Sequence, residues 1–143
     1  MKLDIVVIQN SKNPNLERLS KSLESIENEG GQCIRIDNIE KIPYEKIQTE
    51  YWMIFYDNEE VSKNLNNALF LLDGFEFDYW TFYVLFDSKK ISKYPRMFKR
   101  GIELQILNEK LYPVNHENGE TLLDGWIFSH DESGNRQEST QEP

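Results

Sequence analysis

Apolar and polar positions alternate along the chain in blocks that predict strands and helices in turn. Leu3 to Ile8 (LDIVVI) is short, β-branched and nearly continuous in apolar character. That is the pattern of a strand buried on both faces of a parallel sheet. Gln9 to Pro14 is polar and reads as a loop. Asn15 is placed to cap a helix running to about Glu29, with Leu16, Leu19, Leu23 and Ile26 forming one apolar stripe and Gly30-Gly31 ending it. Gln32 to Ile36 is a second strand that stops at Asp37-Asn38. Together these predict a β-α-β unit whose right-handed crossover sets both strands parallel.

Further along, Pro43 opens a brief helix in the connection that follows. Tyr51 to Tyr56 (YWMIFY) is the most apolar strand and is expected at the centre of the sheet. It ends abruptly at Asp57-Asn58-Glu59-Glu60. Val61 to Leu72 predicts a second helix, with Val61, Leu65, Ala68, Leu69 and Leu72 on its apolar side. Tyr79 to Phe86 (YWTFYVLF) is aromatic and β-branched, hence a strand. Beyond Lys89 the periodicity weakens. Gly101 to Leu107 reads as a short strand or a helix, Asn115 to Gly119 as a polar turn, and Thr121 to Phe128 as a return to the core. Ser129 to Pro143 has no large apolar residue, which predicts a disordered tail. The expected fold is α/β, an open, mostly parallel sheet with flanking helices, in one domain over residues 1–128 followed by a polar tail over 129–143.

Composition narrows the function classes. The chain has 143 residues, 38% hydrophobic and 13% aromatic, enough for one core without disulfides or structural metal. A net charge of −9 opposes binding to bulk nucleic acid or anionic membrane. The single cysteine, Cys33, reads as a small buried hydrophobe and fits a reducing compartment. No signal-peptide pattern precedes the first strand, and no apolar run approaches the ~20 residues of a membrane span. The expected location is cytoplasmic.

In open parallel sheets, ligands bind at the carboxyl ends of the strands. That rule would gather Gln9-Asn10, Asp37-Asn38 and Asp57-Asn58-Glu59 along one edge. Asp57 and Glu59, two apart in an extended segment, project to one side. They would make an oxygen-rich site for Mg²⁺ or Mn²⁺ able to hold a diphosphate. The competing reading is an acidic start to the second helix. Lys89, Lys90, Lys93, Arg96, Lys99 and Arg100 form a basic run suited to neutralising a phosphate, or else a solvated face. A His116-Glu117 pair can ligate metal or shuttle protons, or is simply a polar turn. His130, in the tail, is expected to play no part. Walker, G-x-G-x-x-G, C-x-x-C, H-E-x-x-H and nucleophile-elbow patterns are absent from the sequence.

The order of elements resembles the nucleotide-binding part of a GT-A glycosyltransferase of the family-2-like kind. Val6-Val7-Ile8-Gln9-Asn10 is similar to the opening strand and its polar end. Asp37 matches the acid that contacts the nucleotide. Tyr51 to Glu59 resembles the strand ending in a D-x-D metal motif, as a D-x-E variant. Tyr94 to Gly101 (YPRMFKRG) resembles the P-R-x-F-R stretch that follows it, and Asn115-His116-Glu117 the subsequent His-Glu. The resemblance implies a nucleotide-sugar donor contacted by Asn10 and Asp37, and a Mn²⁺ or Mg²⁺ ion on Asp57 and Glu59. It also implies that Arg96, Lys99 and Arg100 neutralise the departing diphosphate, and that Asp124 or Glu117 takes the acceptor's proton.

Two functions follow. One is a compact, metal-dependent glycosyltransferase with an unknown acceptor. The chain is short for a complete GT-A enzyme and carries Asp-Asn-Glu in place of repeated Asp. Those departures motivate the other, a non-catalytic relative whose acidic surface and aromatic face engage a protein partner.

Overall fold

The computed structural model describes residues 1–72 and 74–130. The opening β-α-β unit forms much as its pattern dictates. Strand β1 (Asp4–Ile8) leads into helix α1 (Leu16–Ser22), where the Asn15 side chain accepts from the Arg18 N–H as its cap. The expected single helix breaks at Leu23, and a separate turn, α2 (Glu24–Glu27), carries Ile26 into the core. Strand β2 (Cys33–Ile36) then pairs parallel to β1. Single-turn 3-10 helices at Ile39–Lys41 and Tyr44–Lys46 lead to β3 (Tyr51–Tyr56), which pairs parallel to the other side of β1.

After β3 the chain departs from the α/β expectation. Val61, predicted to open a helix, instead lies in β4 (Glu59–Val61), and helix α3 is only Leu65–Phe70. Strand β5 (Tyr79–Phe86) turns tightly into β6 (Ile91–Lys99), and β7 (Leu104–Leu107) with β8 (Lys110–Pro113) forms a separate hairpin. Its two turn residues, Asn108 and Glu109, both have positive φ, as a two-residue hairpin turn requires. Strand β9 (Gly119–Ser129) completes a seven-stranded sheet in the order β2-β1-β3-β6-β5-β9-β4. β6 is antiparallel to both neighbours, β9 is parallel to β5, and β4 is antiparallel to β9.

Strands make up 42% of the described residues and helices 18%, so the protein is mainly β with three short α-helices. The expectation of an open, mostly parallel α/β sheet is therefore corrected. Hairpins, which need only a few turn residues, replace crossover helices in the second half. The basic run 89–100, expected to neutralise a phosphate or to form a solvated face, is largely strand β6: Ser92 and Tyr94 point inward and Lys93 outward.

The sheet is curled into a half-barrel, and the chain itself demands the curl. Only Asp57 and Asn58 separate β3 from β4, yet these strands lie four places apart in the sheet order. Four strand spacings would span ~19 Å in a flat sheet. Three Cα–Cα links reach at most ~11 Å. The β4 edge must therefore swing back towards the end of β3.

Alternation along the strands sorts two apolar cores. Ile5, Val7, Met53, Phe55, Phe82, Val84 and Ile127 point inside the curl, beneath α1, α2 and α3. Val6, Ile8, Trp52, Ile54 and Phe98 face outward, under the 3-10 turns and Leu111 of the hairpin. Cys33, expected to be buried, is exposed on the edge strand β2. The strand reaches Ser129, and the His130 N–H donates to the Asn58 carbonyl at 3.0 Å. The first two residues of the expected tail thus belong to the fold; residues 131–143 lie outside the described residues.

Candidate functional site

The most tightly built polar group lies where β3 and β6 part. These strands pair over only three residues, from Tyr51↔Lys99 to Met53↔Met97. Beyond that point β6 bulges against β5: Trp80 faces Met97 but Thr81 faces Pro95, leaving Arg96 as the extra residue. Pro95, lacking an N–H, fits such a position in an interior strand. The bulge turns Arg96 into the opening seam, where its Nη1 donates to the Ile54 carbonyl at 3.2 Å. Nη1 and Nη2 donate to the two Glu59 carboxylate oxygens at 2.8 and 2.7 Å. Glu59 Oε1 also accepts from the Tyr56 N–H at 2.8 Å. The guanidinium lies 5.1 Å from the Tyr56 ring centroid, and the Tyr56 hydroxyl donates to the Glu109 carbonyl. Burial pushes the Tyr56 phenol well above its ordinary pKa, only partly offset by Arg96. Burial alone would lower the Arg96 pKa, but the Glu59 carboxylate reverses the shift and holds it raised. Both ionic side chains are 3% exposed.

This geometry redefines the expected metal and nucleotide residues. Glu59 pairs with Arg96 through both carboxylate oxygens. Asp57 is buried and binds the loop after β1: Oδ1 accepts from the Ser11 N–H at 3.2 Å, and its carbonyl from Asn15 N–H at 2.8 Å. Among the described residues, no group of three or more His, Cys, Asp or Glu is placed to hold a metal ion. Asn10 and Asp37 do follow the adjacent ends of β1 and β2, both exposed, with Asp37 paired to Lys41 at 3.1 Å. Lys99 and Arg100 lie at the opposite end of the sheet, beside the start of β3, where Arg100 donates to the Gln48 carbonyl. Glu117 is exposed at that same end, just before the Tyr79↔Gly119 pair. Asp124 is exposed partway along β9. Arg96 is the one basic residue of the expected set that meets an expected metal ligand, and it does so as a structural ion pair.

No protein-family model and no curated protein matches this chain. With the curled mixed sheet, that leaves the resemblance to GT-A glycosyltransferases unsupported, and it is withdrawn. No helix among the described residues is long and apolar enough to cross a membrane.

Two further polar groups, one buried and one partly exposed, are also structural. Asp4, 2% exposed, accepts from Gln32 N–H and Nε2, from Gln48 N–H and from Thr49 N–H, tying the starts of β1, β2 and β3 together. Burial pushes its carboxyl up, but these hydrogen bonds outweigh it and hold the pKa below the ordinary value. His130, expected to be idle, stands between two carboxylates, with Nε2 2.7 Å from Glu60 and Nδ1 3.3 Å from Asp87.

The surface offers a different kind of site. Phe70 and Leu71, at the end of α3, are each 68% exposed, and Leu123 on β9 is 69% exposed. Helix α3 rests on β9 because Gly125 leaves room: a methyl group there would come within 2.8 Å of Leu65 and 3.5 Å of Ala68. The β5–β9 register jumps from Phe82↔Leu122 to Tyr83↔Trp126, so Leu123, Asp124 and Gly125 bulge out of it. Leu122 turns inward and Leu123 outward. Phe75, half-exposed, stacks on Phe77 and meets Trp80 edge-on. The sequence has no Lys or Arg over residues 64–88 or 111–130, whereas Glu76, Asp78, Glu120 and Asp124 lie on the same elements as the exposed apolar residues. No single-residue pattern announces this face. The signal was the combination of an over-long apolar run, Leu69 to Leu72, with a stretch free of basic residues.

Proposed function

We propose that this chain is a non-catalytic binding protein that engages another protein through the face formed by α3, Phe75 and Leu123. The observation that carries this reading is the placement of Phe70, Leu71 and Leu123, large apolar side chains more than two-thirds exposed on elements that pack together. Isolated exposed apolar residues are ordinary, but several on adjoining elements mark interaction surfaces. The buried acids support the same reading: Asp4 and Glu59 direct their carboxylates into hydrogen bonds that hold strands together rather than into an open site.

The test is affinity capture from the source cell with the full chain and two variants. Leu71→Ser with Leu123→Ser should abolish capture of a specific partner while circular dichroism and Tm stay those of the parent. Asp57→Ala should keep it. Capture insensitive to the double substitution overturns the proposal, as does binding of a nucleoside diphosphate with Mn²⁺ that Asp57→Ala removes.

A further inference from the structure

We infer that two copies of this chain pair through the free edge of β2, antiparallel and centred on Ile34, so that the sheet continues across a two-fold axis. β2 ends the seven-stranded sheet, and none of its four residues is buried. The Gln32 and Ile36 carbonyls face β1, where they accept from the Ile5 and Gln9 N–H groups. Alternate residues of a strand turn their backbone groups to the same side. Cys33 and Arg35 therefore direct their N–H and C=O groups away from β1, where no strand of the described residues meets them. Elsewhere in this sheet such groups are taken up. At the opposite edge the Val61 N–H of β4 donates to Ser22 Oγ at 3.1 Å. In the β3–β6 seam Arg96 donates to the Ile54 carbonyl. β2 is left open, and an open edge is a template for a further strand.

The register favours a second copy as that strand. Centring on Ile34 sets Cys33 of each copy opposite Arg35 of the other. Each such pair exchanges two main-chain hydrogen bonds, so four bonds satisfy every outward N–H and C=O of Cys33 and Arg35. Ile34, only partly buried in the single chain, meets its own copy at the non-hydrogen-bonded position, where side chains come closest. Charge follows the same symmetry. Glu27 lies within electrostatic reach of Cys33. Arg35, standing opposite Cys33, is thereby brought towards Glu27 of the other copy, once on each side of the axis. Centring on Arg35 would instead set two like charges face to face. The net charge of −9 on each chain and the shortness of β2 keep the dimer weak.

The test is sedimentation of the full chain over a range of concentrations under reducing conditions, which exclude a disulfide through Cys33. A monomer–dimer equilibrium is expected. Arg35→Pro removes an outward N–H and leaves the bonds to β1, the one setting in which an edge strand accepts proline. It should give monomer with the circular dichroism of the parent. Arg35→Glu keeps the backbone and should weaken association about tenfold or more, because it sets acid against Glu27. Adding Glu27→Arg to Arg35→Glu should restore it. Leu71→Ser with Leu123→Ser should leave the equilibrium unchanged, which separates this edge from the face proposed above. A monomer at every concentration overturns the inference, and so does a dimer that survives Arg35→Pro. Failure of Glu27→Arg to rescue Arg35→Glu overturns the Ile34-centred register. A dimer lost in the Leu71/Leu123 variant would put the second copy on the α3 face instead.

Discussion

Arg96 and Glu59, 37 residues apart in the chain, meet through two parallel hydrogen bonds of 2.8 and 2.7 Å in the seam where β3 and β6 separate. The pair bridges the seam beyond Met53↔Met97, where backbone pairing of β3 with β6 stops. Removing one partner strands a buried charge, which typically costs about 3–5 kcal/mol. Glu59→Gln and Arg96→Met should each lower the denaturation midpoint strongly. The combined apolar replacement, Glu59→Leu with Arg96→Met, should cost less than the sum of the single changes. Guanidinium titration of the four proteins checks this; additive losses would show that the pair is not a coupled unit.

Asp4 sets an acid limit on stability. Its pKa is lowered in the folded state because hydrogen bonds from Gln32, Gln48 and Thr49 outweigh its burial. A depressed folded pKa contributes stability that is fully present above the unfolded value, about 3.9. That stability is lost as pH falls through the folded pKa. Asp4→Asn should be less stable than the parent at neutral pH by roughly 1–3 kcal/mol. The gap should narrow as pH falls below about 4. Urea midpoints measured between neutral pH and pH 3 decide it, and a gap constant with pH would remove Asp4 from the acid limb.

The β1-α1-α2-β2 unit and β3 were legible in the sequence because apolar runs there are short, β-branched and bounded by polar caps, and because Asn15 is a strong helix signal. The second half was not. β6 carries a period-two pattern in Ser92, Lys93 and Tyr94, but Pro95 and the Arg96 bulge shift it by one residue, so Met97 rather than Arg96 returns to the inner core. Val61 looks like the first apolar residue of a helix, yet its pairing with Ile127 in β9 recruits it to the sheet. That choice depends on a strand more than sixty residues away and leaves no local trace. The acidic cluster after β3 was legible as chemistry but not as structure: Asp57 and Glu59 do follow an apolar strand, and only the tertiary approach of Arg96 reveals that one of them is an ion-pair partner.

Ser92 and Tyr94 hold buried hydroxyls with no hydrogen-bond partner among the described residues. A hydroxyl buried without compensation costs about 1–3 kcal/mol. Tyr94→Phe removes that cost and keeps the ring, whose face lies 5.2 Å from Lys110 Nζ. Tyr94→Phe and Ser92→Ala should therefore leave Tm unchanged or raise it, against the usual direction for core substitutions. A clear drop in Tm for Tyr94→Phe would mean that its hydroxyl is satisfied in solution.

Gly125 links the fold to the binding face. Its φ is +143°, where L side chains are strained, and an added methyl would meet Leu65 at 2.8 Å. Gly101 has φ +93° with nothing within 4 Å, so Gly101→Ala carries the backbone cost alone. The two alanine variants thus separate conformation from packing. Gly101→Ala should lower stability by about 1–2 kcal/mol. Gly125→Ala should cost more, by roughly a further 1–3 kcal/mol, because α3 has to lift from β9. Urea denaturation of both variants checks this. Equal losses would mean that α3 accommodates the added methyl group without lifting from β9.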